Sequence, residues 1–241
     1  MTAPRTDPDF VFVMAYGRSG STLIQAVLNA LPETCIRGEN GGALRGLCES
    51  WSRIHATPQL AGAREAGAPS DPATPWFGAE ATDPDGFARA LGRAFTDHVL
   101  APAPGTRLAG CKEIRFHEGP NGWNDVVGFE GPGGFRETLD FLTRAFPGAR
   151  FVFNTRAPGA VARSGWWRRV PEAQVRDLLG RIDALFDAAA AAFPDRVLRL
   201  RYDDYARDPA ALAPLFAHLG RPFDEDMAAR VLSRRLDHTG V

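Results

Sequence analysis

The stretch FVFVMAYGRSGSTLIQAVL, residues 10–28, contains the parts of an anion-binding loop. It begins with the apolar run Phe10–Tyr16, which is typical of a strand buried on both faces. A turn of glycine, arginine and hydroxyl residues follows, and apolar residues then recur at helical spacing. The first N–H groups of a helix lack partners within it, so they favour a negatively charged ligand. We therefore predict that a phosphate is bound by Gly17, Arg18, Ser19, Gly20, Ser21 and Thr22.

This turn differs from the loop of nucleoside-triphosphate enzymes, which reads G-x-x-x-x-G-K-[ST]. When the two are aligned on Gly20, Ala15 replaces the first glycine, Ser21 replaces the lysine, and the cation is Arg18 inside the turn. Such enzymes also hold Mg²⁺ through an acid at the end of a second strand. Neither LAGCKEI nor RFVFNT ends in aspartate, and Glu113 lies within its strand. The sequence therefore predicts a phosphate site that needs no metal ion.

Lysine occurs once in the chain, at Lys112, and all the remaining side chains among the 28 lysines and arginines are arginine. An ammonium is a compact point charge, whereas a guanidinium is a planar fork, so the two are not equivalent in a site. Position 112 either requires lysine for its chemistry or retains one by chance.

Four apolar runs predict the buried strands that would carry these residues: Phe10–Tyr16, Leu108–Ile114, Phe151–Thr155 and Val197–Tyr202. Helical periodicity separates them in Gly134–Phe146 and Pro171–Phe193, and a further helix is expected between Asp208 and Gly220, with Pro214 marking a kink or a late start. Strands that alternate with helices indicate a parallel sheet. We predict a three-layer α/β/α fold around a mostly parallel sheet, similar to P-loop NTPases, in a single domain over residues 1–241.

Composition excludes several classes of protein. The net charge is −1, from 28 basic and 29 acidic side chains, which argues against nucleic acid as a partner. Three scattered cysteines without a C-x-x-C pair indicate neither a disulfide framework nor a zinc site. The first ten residues contain no long apolar run, so we expect no membrane association and a cytoplasmic location.

Two segments have no clear helical or strand period, Thr57–Gly86 and His117–Gly134. Both are long and polar, and both hold isolated aromatic residues. Such segments are substrate lids in many α/β enzymes, or else surface loops that aromatic side chains pin to the core. Four aromatic residues are candidates for stacking on an acceptor or for packing in the core: Trp51, Trp76, Phe77 and Trp123.

The loop GRSGSTLI resembles the 5′-phosphosulfate loop of sulfotransferases, which use 3′-phosphoadenosine 5′-phosphosulfate (PAPS). A second family motif has a strand that ends in arginine, then x-Pro, and a serine eight residues after the arginine. The segment FVFNTRAPGAVARSGWW is similar, with Arg156, Pro158 and Ser164 at those spacings. The resemblance implies that Arg156 and Ser164 bind the 3′-phosphate, with Ser164 about two turns into a helix that Pro158 opens.

The same resemblance implies catalytic roles for Glu39, Lys112 and His117. In tyrosylprotein and several carbohydrate sulfotransferases a glutamate in a GE loop is the base, and Glu39 lies in the similar CIRGENGG. The strand-end lysine of the family donates to the bridging oxygen of the phosphosulfate, and Lys112 matches it. His117 resembles the base of the cytosolic branch but follows the lysine by five residues instead of two, so it is the rival base or an acceptor-binding residue.

A weaker resemblance covers LRLRYDDYARDPAALAPLFAHLG, where a Tyr-acid-acid stretch precedes a helix and has a structural role in the family. The glycine- and lysine-rich C-terminal segment of the cytosolic branch has no counterpart here, which places the chain nearer the bacterial, carbohydrate and tyrosylprotein branches. Arg163, Arg168 or Arg169 would then supplement the 3′-phosphate site.

The sequence thus predicts an enzyme that moves the sulfuryl group of PAPS to a hydroxyl and releases 3′,5′-bisphosphoadenosine (PAP). The acceptor is a small molecule or a glycan, and the oligomeric state is not indicated. Two alternatives stay open: a Mg²⁺-dependent nucleotide kinase of related fold, and a nucleotide-binding module without catalysis.

Overall fold

Residues 8–114 and 134–233 are described by a computed structural model, and within them five strands form one sheet. The strands are β1 (Asp9–Ala15), β2 (Thr34–Arg37), β3 (Leu108–Glu113), β4 (Arg150–Thr155) and β5 (Val197–Arg201). Their order across the sheet is β2-β3-β1-β4-β5, and every neighbouring pair is parallel. All five carboxyl ends therefore lie along the same edge, where α/β sheets bind ligands.

Helices connect the strands and cover the sheet. They are α1 (Ser21–Asn29), α2 (Ala43–Ala56), α3 (Pro58–Ala66), α4 (Pro84–Phe95), α5 (Phe135–Ala145), α6 (Pro158–Ala162), α7 (Glu172–Ala192), α8 (Tyr202–Tyr205), α9 (Ala213–His218) and α10 (Glu225–Leu232). Tighter 3₁₀ turns occur at Ala79–Ala81, Gly165–Arg169 and Pro209–Leu212, and a wide π turn, Thr96–Leu100, extends α4.

The sheet separates two apolar cores because successive side chains of a strand point to opposite faces. On one face Phe12 and Met14 of β1 belong to a core with residues of α2, α4, α5 and α7. On the other face Val11 and Val13 pack with α1, α9 and α10. The layers are therefore helix, sheet and helix, as the sequence predicted.

The four predicted strands are confirmed to within one residue at each end. The sequence missed β2, which is only four residues long, lies at the sheet edge and reads Thr-Cys-Ile-Arg. Pro214 marks a late start, since a 3₁₀ turn precedes α9, which begins at Ala213.

The first unassigned segment contains α3 and the turn Ala79–Ala81, so it is not structureless. Trp76 and Phe77 are 46% and 59% exposed, which excludes a role for them in pinning this segment to the core. Trp51, by contrast, is fully buried and donates from Nε1 to the carbonyl of Pro84 at 3.1 Å, so it is a core residue. The second segment, with Trp123, lies almost wholly outside the described residues.

Candidate active site

The turn between β1 and α1 has an unusual backbone. Arg18 and Gly20 both adopt positive φ angles, 69° and 89°, and α1 starts directly afterwards at Ser21. Within the described ranges, no side chain caps the first N–H groups of this helix. The N–H of Leu23 donates to the carbonyl of Gly20 at 2.9 Å, whereas those of Ser21 and Thr22 stay available for an anion; phosphate binding by this loop stays a prediction.

The carbonyl groups of the turn are held by side chains from three other elements. Asn154 of β4 donates from Nδ2 to the carbonyl of Ser19 at 2.8 Å, and Trp167 donates from Nε1 to that of Gly17 at 3.0 Å. Tyr205 lies 3.3 Å from the carbonyl of Gly20 and 3.0 Å from Oδ1 of Asn154, and its hydroxyl donates to these acceptors. Burial raises the pKa of Tyr205, so its hydroxyl keeps the proton it donates.

Two glycines of the turn are required by aromatic rings that approach the backbone. A Cβ atom at Gly17 would lie 2.3 Å from Cζ2 of Trp166, and one at Gly20 would lie 2.2 Å from Cδ2 of Tyr202. Contacts this short do not occur between non-bonded carbon atoms. Gly20 also has a positive φ angle, which glycine adopts more readily than other residues. The rings therefore fix the path of the loop.

The two predicted phosphate motifs meet in the structure, although they are far apart in sequence. Nε of Arg18 donates to Oγ of Ser164 at 3.0 Å, and Nη1 of Arg156 donates to the carbonyl of Arg18 at 3.2 Å. Arg156 directly follows the carboxyl end of β4, as predicted. The hydroxyl and both guanidinium groups thus belong to one cluster at the ligand-binding edge of the sheet.

The position of Ser164 corrects one expectation from the sequence. It does not lie two turns into a helix, because α6 ends at Ala162. Ser164 follows that helix, its N–H donates to the carbonyl of Val161 at 2.8 Å, and Gly165 with a φ of 55° redirects the chain into a 3₁₀ turn. The break in the helix brings the Ser164 hydroxyl to Arg18.

Arg156 is held by residues that directly follow the two neighbouring strands, β1 and β5. Its guanidinium carbon lies 4.3 Å from the ring centroid of Tyr202, at a distance typical of a cation–π contact. Its backbone N–H donates to the Tyr16 hydroxyl, which donates to the backbone carbonyl of Arg156, both at 2.8 Å. The next N–H, of Ala157, donates to Oδ2 of Asp203 at 2.6 Å. Nε of Arg156 is buried, and no residue in the described ranges accepts a hydrogen bond from it.

Lys112 and Glu39 also come together. Nζ of Lys112, near the end of β3, lies 2.5 Å from Oε1 of Glu39 in the loop after β2. The side chains are 7% and 32% exposed, so the carboxylate is the more accessible member of the pair. Gly38 packs beside Gln25 of α1, where a Cβ atom would lie 3.8 Å from Nε2 of Gln25. The predicted base therefore belongs to a loop that borders the first helix.

Glu113 ends β3, so the expectation that it lies within the strand was wrong, and its side chain points to the opposite face of the sheet from Lys112. It is fully buried, and its Oε2 accepts hydrogen bonds from the N–H groups of Asn40 at 2.9 Å and Gly42 at 3.3 Å. The sequence left open whether Glu113 orients Lys112 or faces away, and the structure shows the second arrangement.

His117 lies outside the described residues, so its role as a rival base stays a prediction. Within residues 8–114 and 134–233, no group of three or more His, Cys, Asp or Glu side chains could hold a metal ion. None of the helices in these ranges is long and apolar enough to span a bilayer.

The sequence analysis missed several residues that build the site, namely Asn154, Trp166, Trp167, Tyr202, Asp203 and Tyr205. A signal existed for Asn154, since it is a polar side chain inside an otherwise apolar strand and is fully buried. Such a group requires hydrogen-bond partners, and here they are the anion loop and Tyr205. The Tyr-acid-acid stretch was recognised, but its contacts with the two phosphate loops were not anticipated.

Comparison with known proteins gives related folds. The sulfotransferase domain of an olefin synthase from Synechococcus PCC 7002 is 19% identical, with a TM-score of 0.57 over 100% of this chain and 84% of that one. The sulfotransferase domain of the curacin biosynthetic pathway is 15% identical, with a TM-score of 0.51 over 92% of this chain and 77% of that one. No curated protein matches the sequence.

The sequence model described as "Sulfotransferase family" matches residues 8–225. This range contains both phosphate motifs, the lysine of β3 and the GE loop, and it covers nearly all of the chain. The chain therefore belongs to the sulfotransferase family.

Proposed function

We propose that this sulfotransferase moves the sulfuryl group of PAPS to a hydroxyl acceptor, with PAP as the second product. One observation carries the assignment of the donor. The loop at α1 and the Arg156–Ser164 motif form one cluster through the 3.0 Å contact between Arg18 and Ser164. A ligand with phosphates at both its 5′ and 3′ positions matches two anion sites so linked, whereas ATP carries a single phosphate chain.

The chain's residues fit that donor. In this proposal the backbone N–H groups of Arg18, Gly20, Ser21 and Thr22 bind the 5′-phosphosulfate, aided by the dipole of α1, while the N–H of Ser19 donates to the carbonyl of Tyr16 at 3.3 Å. Arg156 and Ser164 bind the 3′-phosphate, and a guanidinium suits this role because its planar fork matches phosphate oxygens. The buried Nε of Arg156, which has no acceptor among the described residues, supports an orientation of this side chain toward a ligand. Arg163, Arg168 and Arg169 remain candidates for additional phosphate contacts.

PAPS, when bound, supplies a sulfuryl group that leaves a phosphate oxygen by in-line displacement. Negative charge then builds on the leaving oxygen, and the Lys112 ammonium is the cation suited to stabilise it. Glu39 takes the proton of the acceptor hydroxyl. The 2.5 Å contact between the two side chains keeps the proposed base beside the cation that stabilises the leaving oxygen.

His117 is the competing base in this proposal. If His117 took the proton, Glu39 would serve to orient Lys112 through the same ion pair. The two assignments differ in which substitution, Glu39→Gln or His117→Asn, removes catalysis.

The two alternatives from the sequence are not supported. A nucleotide kinase would need the lysine that Ser21 replaces, and the family match is to sulfotransferases. The same match disfavours a nucleotide-binding module without catalysis. A cytoplasmic location, a bacterial source and the nearer branch of the family stay predictions, as does the choice between small-molecule and glycan acceptors.

Thermal shift tests the donor directly. At about 100 times Kd a ligand stabilises the folded state by about 2.7 kcal/mol. For a chain of this size that corresponds to a rise in Tm of roughly 5–10 °C. PAP and PAPS should both give such a shift without a metal ion, and ATP with Mg²⁺ should give less. A larger shift with ATP and Mg²⁺ than with PAP would contradict the assignment.

A further inference from the structure

Glu113 is a buried carboxylate to which the proposed mechanism gives no role. It is the last residue of β3, directly after Lys112, and its side chain is fully buried on the face of the sheet that α2 and α5 cover. An ionised group in such a place is costly unless it is hydrogen-bonded.

The backbone around Glu113 provides those hydrogen bonds. Oε2 accepts from the N–H groups of Asn40 and Gly42, at 2.9 and 3.3 Å, and Oε1 accepts from the N–H of Ile114 at 2.8 Å. Asn40 and Gly42 immediately precede α2, a helix of 14 residues, whose positive N-terminal end also favours a carboxylate. Together these interactions hold the carboxylate in a fixed position.

Two of these three donors belong to the loop that carries Glu39. The loop is an irregular segment in which Gly41 and Gly42 have φ angles of 69° and 80°. Asn40 adds a contact of its own, from Nδ2 to Sγ of Cys111 at 3.5 Å. The backbone that follows Glu39 is therefore attached to β3 on the buried face of the sheet.

The same strand holds Glu39 from the other face. Lys112 contacts the Glu39 carboxylate at 2.5 Å, while Glu113 binds the backbone one and three residues further on. Neighbouring residues of one strand thus grip a single loop at its side chain and at its main chain. Successive side chains of a strand point to opposite faces of the sheet, so both can contact one loop where that loop crosses the end of the strand.

We propose that Glu113 is a positioning residue that keeps the Glu39 carboxylate against Lys112. The catalytic role of Glu39 in this proposal rests on the proposed function. The attachment of the Glu39 loop to Glu113 and Lys112, called the clamp below, does not depend on that function. Loss of the Glu113 charge weakens its hydrogen bonds to the N–H groups of Asn40 and Gly42, which lets the Glu39 carboxylate leave Lys112. Glu113 acts through Glu39 and does not contact the acceptor.

The single lysine of the chain gives a direct readout of the clamp. N-hydroxysuccinimide acetate acylates free amines, and peptide mapping separates Lys112 from the N-terminal amine. Lys112 is protected in the wild type, since it is 7% exposed and paired with Glu39. Glu39→Gln should speed its acylation about tenfold, as expected when a charge-assisted contact is lost. Glu113→Gln should speed it by a similar factor, and the double variant should match Glu39→Gln alone.

The double variant, Glu39→Gln with Glu113→Gln, shows whether Glu113 acts on Lys112 through Glu39. A direct electrostatic effect of Glu113 on Lys112, or a general loosening of the fold, would add to the effect of Glu39→Gln. A clamp that acts through Glu39 adds nothing. Glu137→Gln is the matched control, because Glu137 of α5 is a partly buried carboxylate that accepts a hydrogen bond from Ser52 at 2.5 Å. This substitution should leave the acylation of Lys112 unchanged.

Turnover then separates the clamp from the catalytic role. The rate of PAP release from PAPS, with water or 4-nitrophenol as acceptor, should fall in Glu113→Gln while PAP affinity stays at the wild-type value. If acylation follows the predicted pattern but Glu39→Gln does not slow PAP release, the clamp stands and Glu39 is not the base. If acylation of Glu113→Gln equals wild type, or adds to Glu39→Gln, the clamp is wrong.

Hydrogen exchange of the wild type and of Glu113→Asp is a second measurement, and it covers the case in which Glu113→Gln fails to fold. Hydrogen exchange of the wild type should show protected amides at Asn40 and Gly42, because both donate to a buried carboxylate. Glu113→Asp keeps the charge but is one methylene shorter, and it should raise exchange at these amides. Fast exchange at both amides in the wild type would overturn the proposal.

Discussion

Replacement of Arg156 tests the 3′-phosphate site, and its magnitude follows from how this side chain is held. The guanidinium is fixed before any ligand arrives, by the Tyr202 ring at 4.3 Å and the carbonyl of Arg18 at 3.2 Å. Little side-chain entropy is then lost on binding. A charge-assisted contact of this kind is worth about 2–3 kcal/mol, which is roughly 30- to 150-fold in affinity. Arg156→Ala should weaken PAP binding by that factor.

Calorimetry with PAP and with 5′-AMP provides the assay. The wild type should bind PAP far better than 5′-AMP, since only PAP carries the 3′-phosphate, and Arg156→Ala should remove most of that difference. The 5′-AMP arm reports any indirect damage to the loop at Arg18. Arg150→Ala is the matched control, because Arg150 lies at the amino end of β4, whereas Arg156 follows its carboxyl end. Equal affinity of the wild type for the two nucleotides, or an equal loss of both in Arg156→Ala, would refute the reasoning.

Three further predictions concern catalysis and the loop. Glu39→Gln should lower the rate of PAP release from PAPS by roughly 10²–10⁴-fold and leave PAP affinity unchanged, whereas His117→Asn should mainly raise the acceptor KM; the reverse result would make His117 the base. Activity should survive EDTA, and a loss that magnesium restores would argue for a metal-dependent reaction. Gly20→Ala should abolish PAP binding in calorimetry, because its Cβ would lie 2.2 Å from the Tyr202 ring, while Gly180→Ala, a substitution with open space in α7, should bind normally.

The sequence predicted the fold well because its signals are local. Each of the four predicted strands is a continuous apolar run, and parallel strands buried on both faces have that pattern. The edge strand β2 has only one buried residue among its four, Ile36, so it gives no such run. The late start that Pro214 indicated is found in the structure, where Pro214 is the second residue of α9. Proline is tolerated in the first turn of a helix and not beyond it.

The sequence also identified residues that the fold brings together, notably Arg18 with Ser164 and Lys112 with Glu39. These depended on motifs with fixed spacing, and such motifs reflect the geometry of a strand, a turn and a helix. The carboxylate of Glu113 had no motif. Two of its three backbone N–H partners are more than 70 positions away, and no residue pattern shows which backbone groups will lie near a given strand end.

The supporting residues were less predictable for a similar reason. Tyr202 and Tyr205 come from a stretch that was expected to be structural, and they contact the loops of both phosphate motifs. A single sequence shows that these residues are aromatic and precede a helix, but it does not show which loops meet them. That information depends on the strand order, in which β4 lies between β1 and β5.

The most direct test of the account is a crystal structure of the protein with PAP. The 5′-phosphate should lie at the N-terminus of α1 and accept hydrogen bonds from the backbone N–H groups of Arg18, Gly20, Ser21 and Thr22. The 3′-phosphate of the same molecule should contact the Arg156 guanidinium and the Ser164 hydroxyl. A PAP molecule whose 3′-phosphate lies away from both Arg156 and Ser164, or whose 5′-phosphate does not reach the loop, would contradict the account.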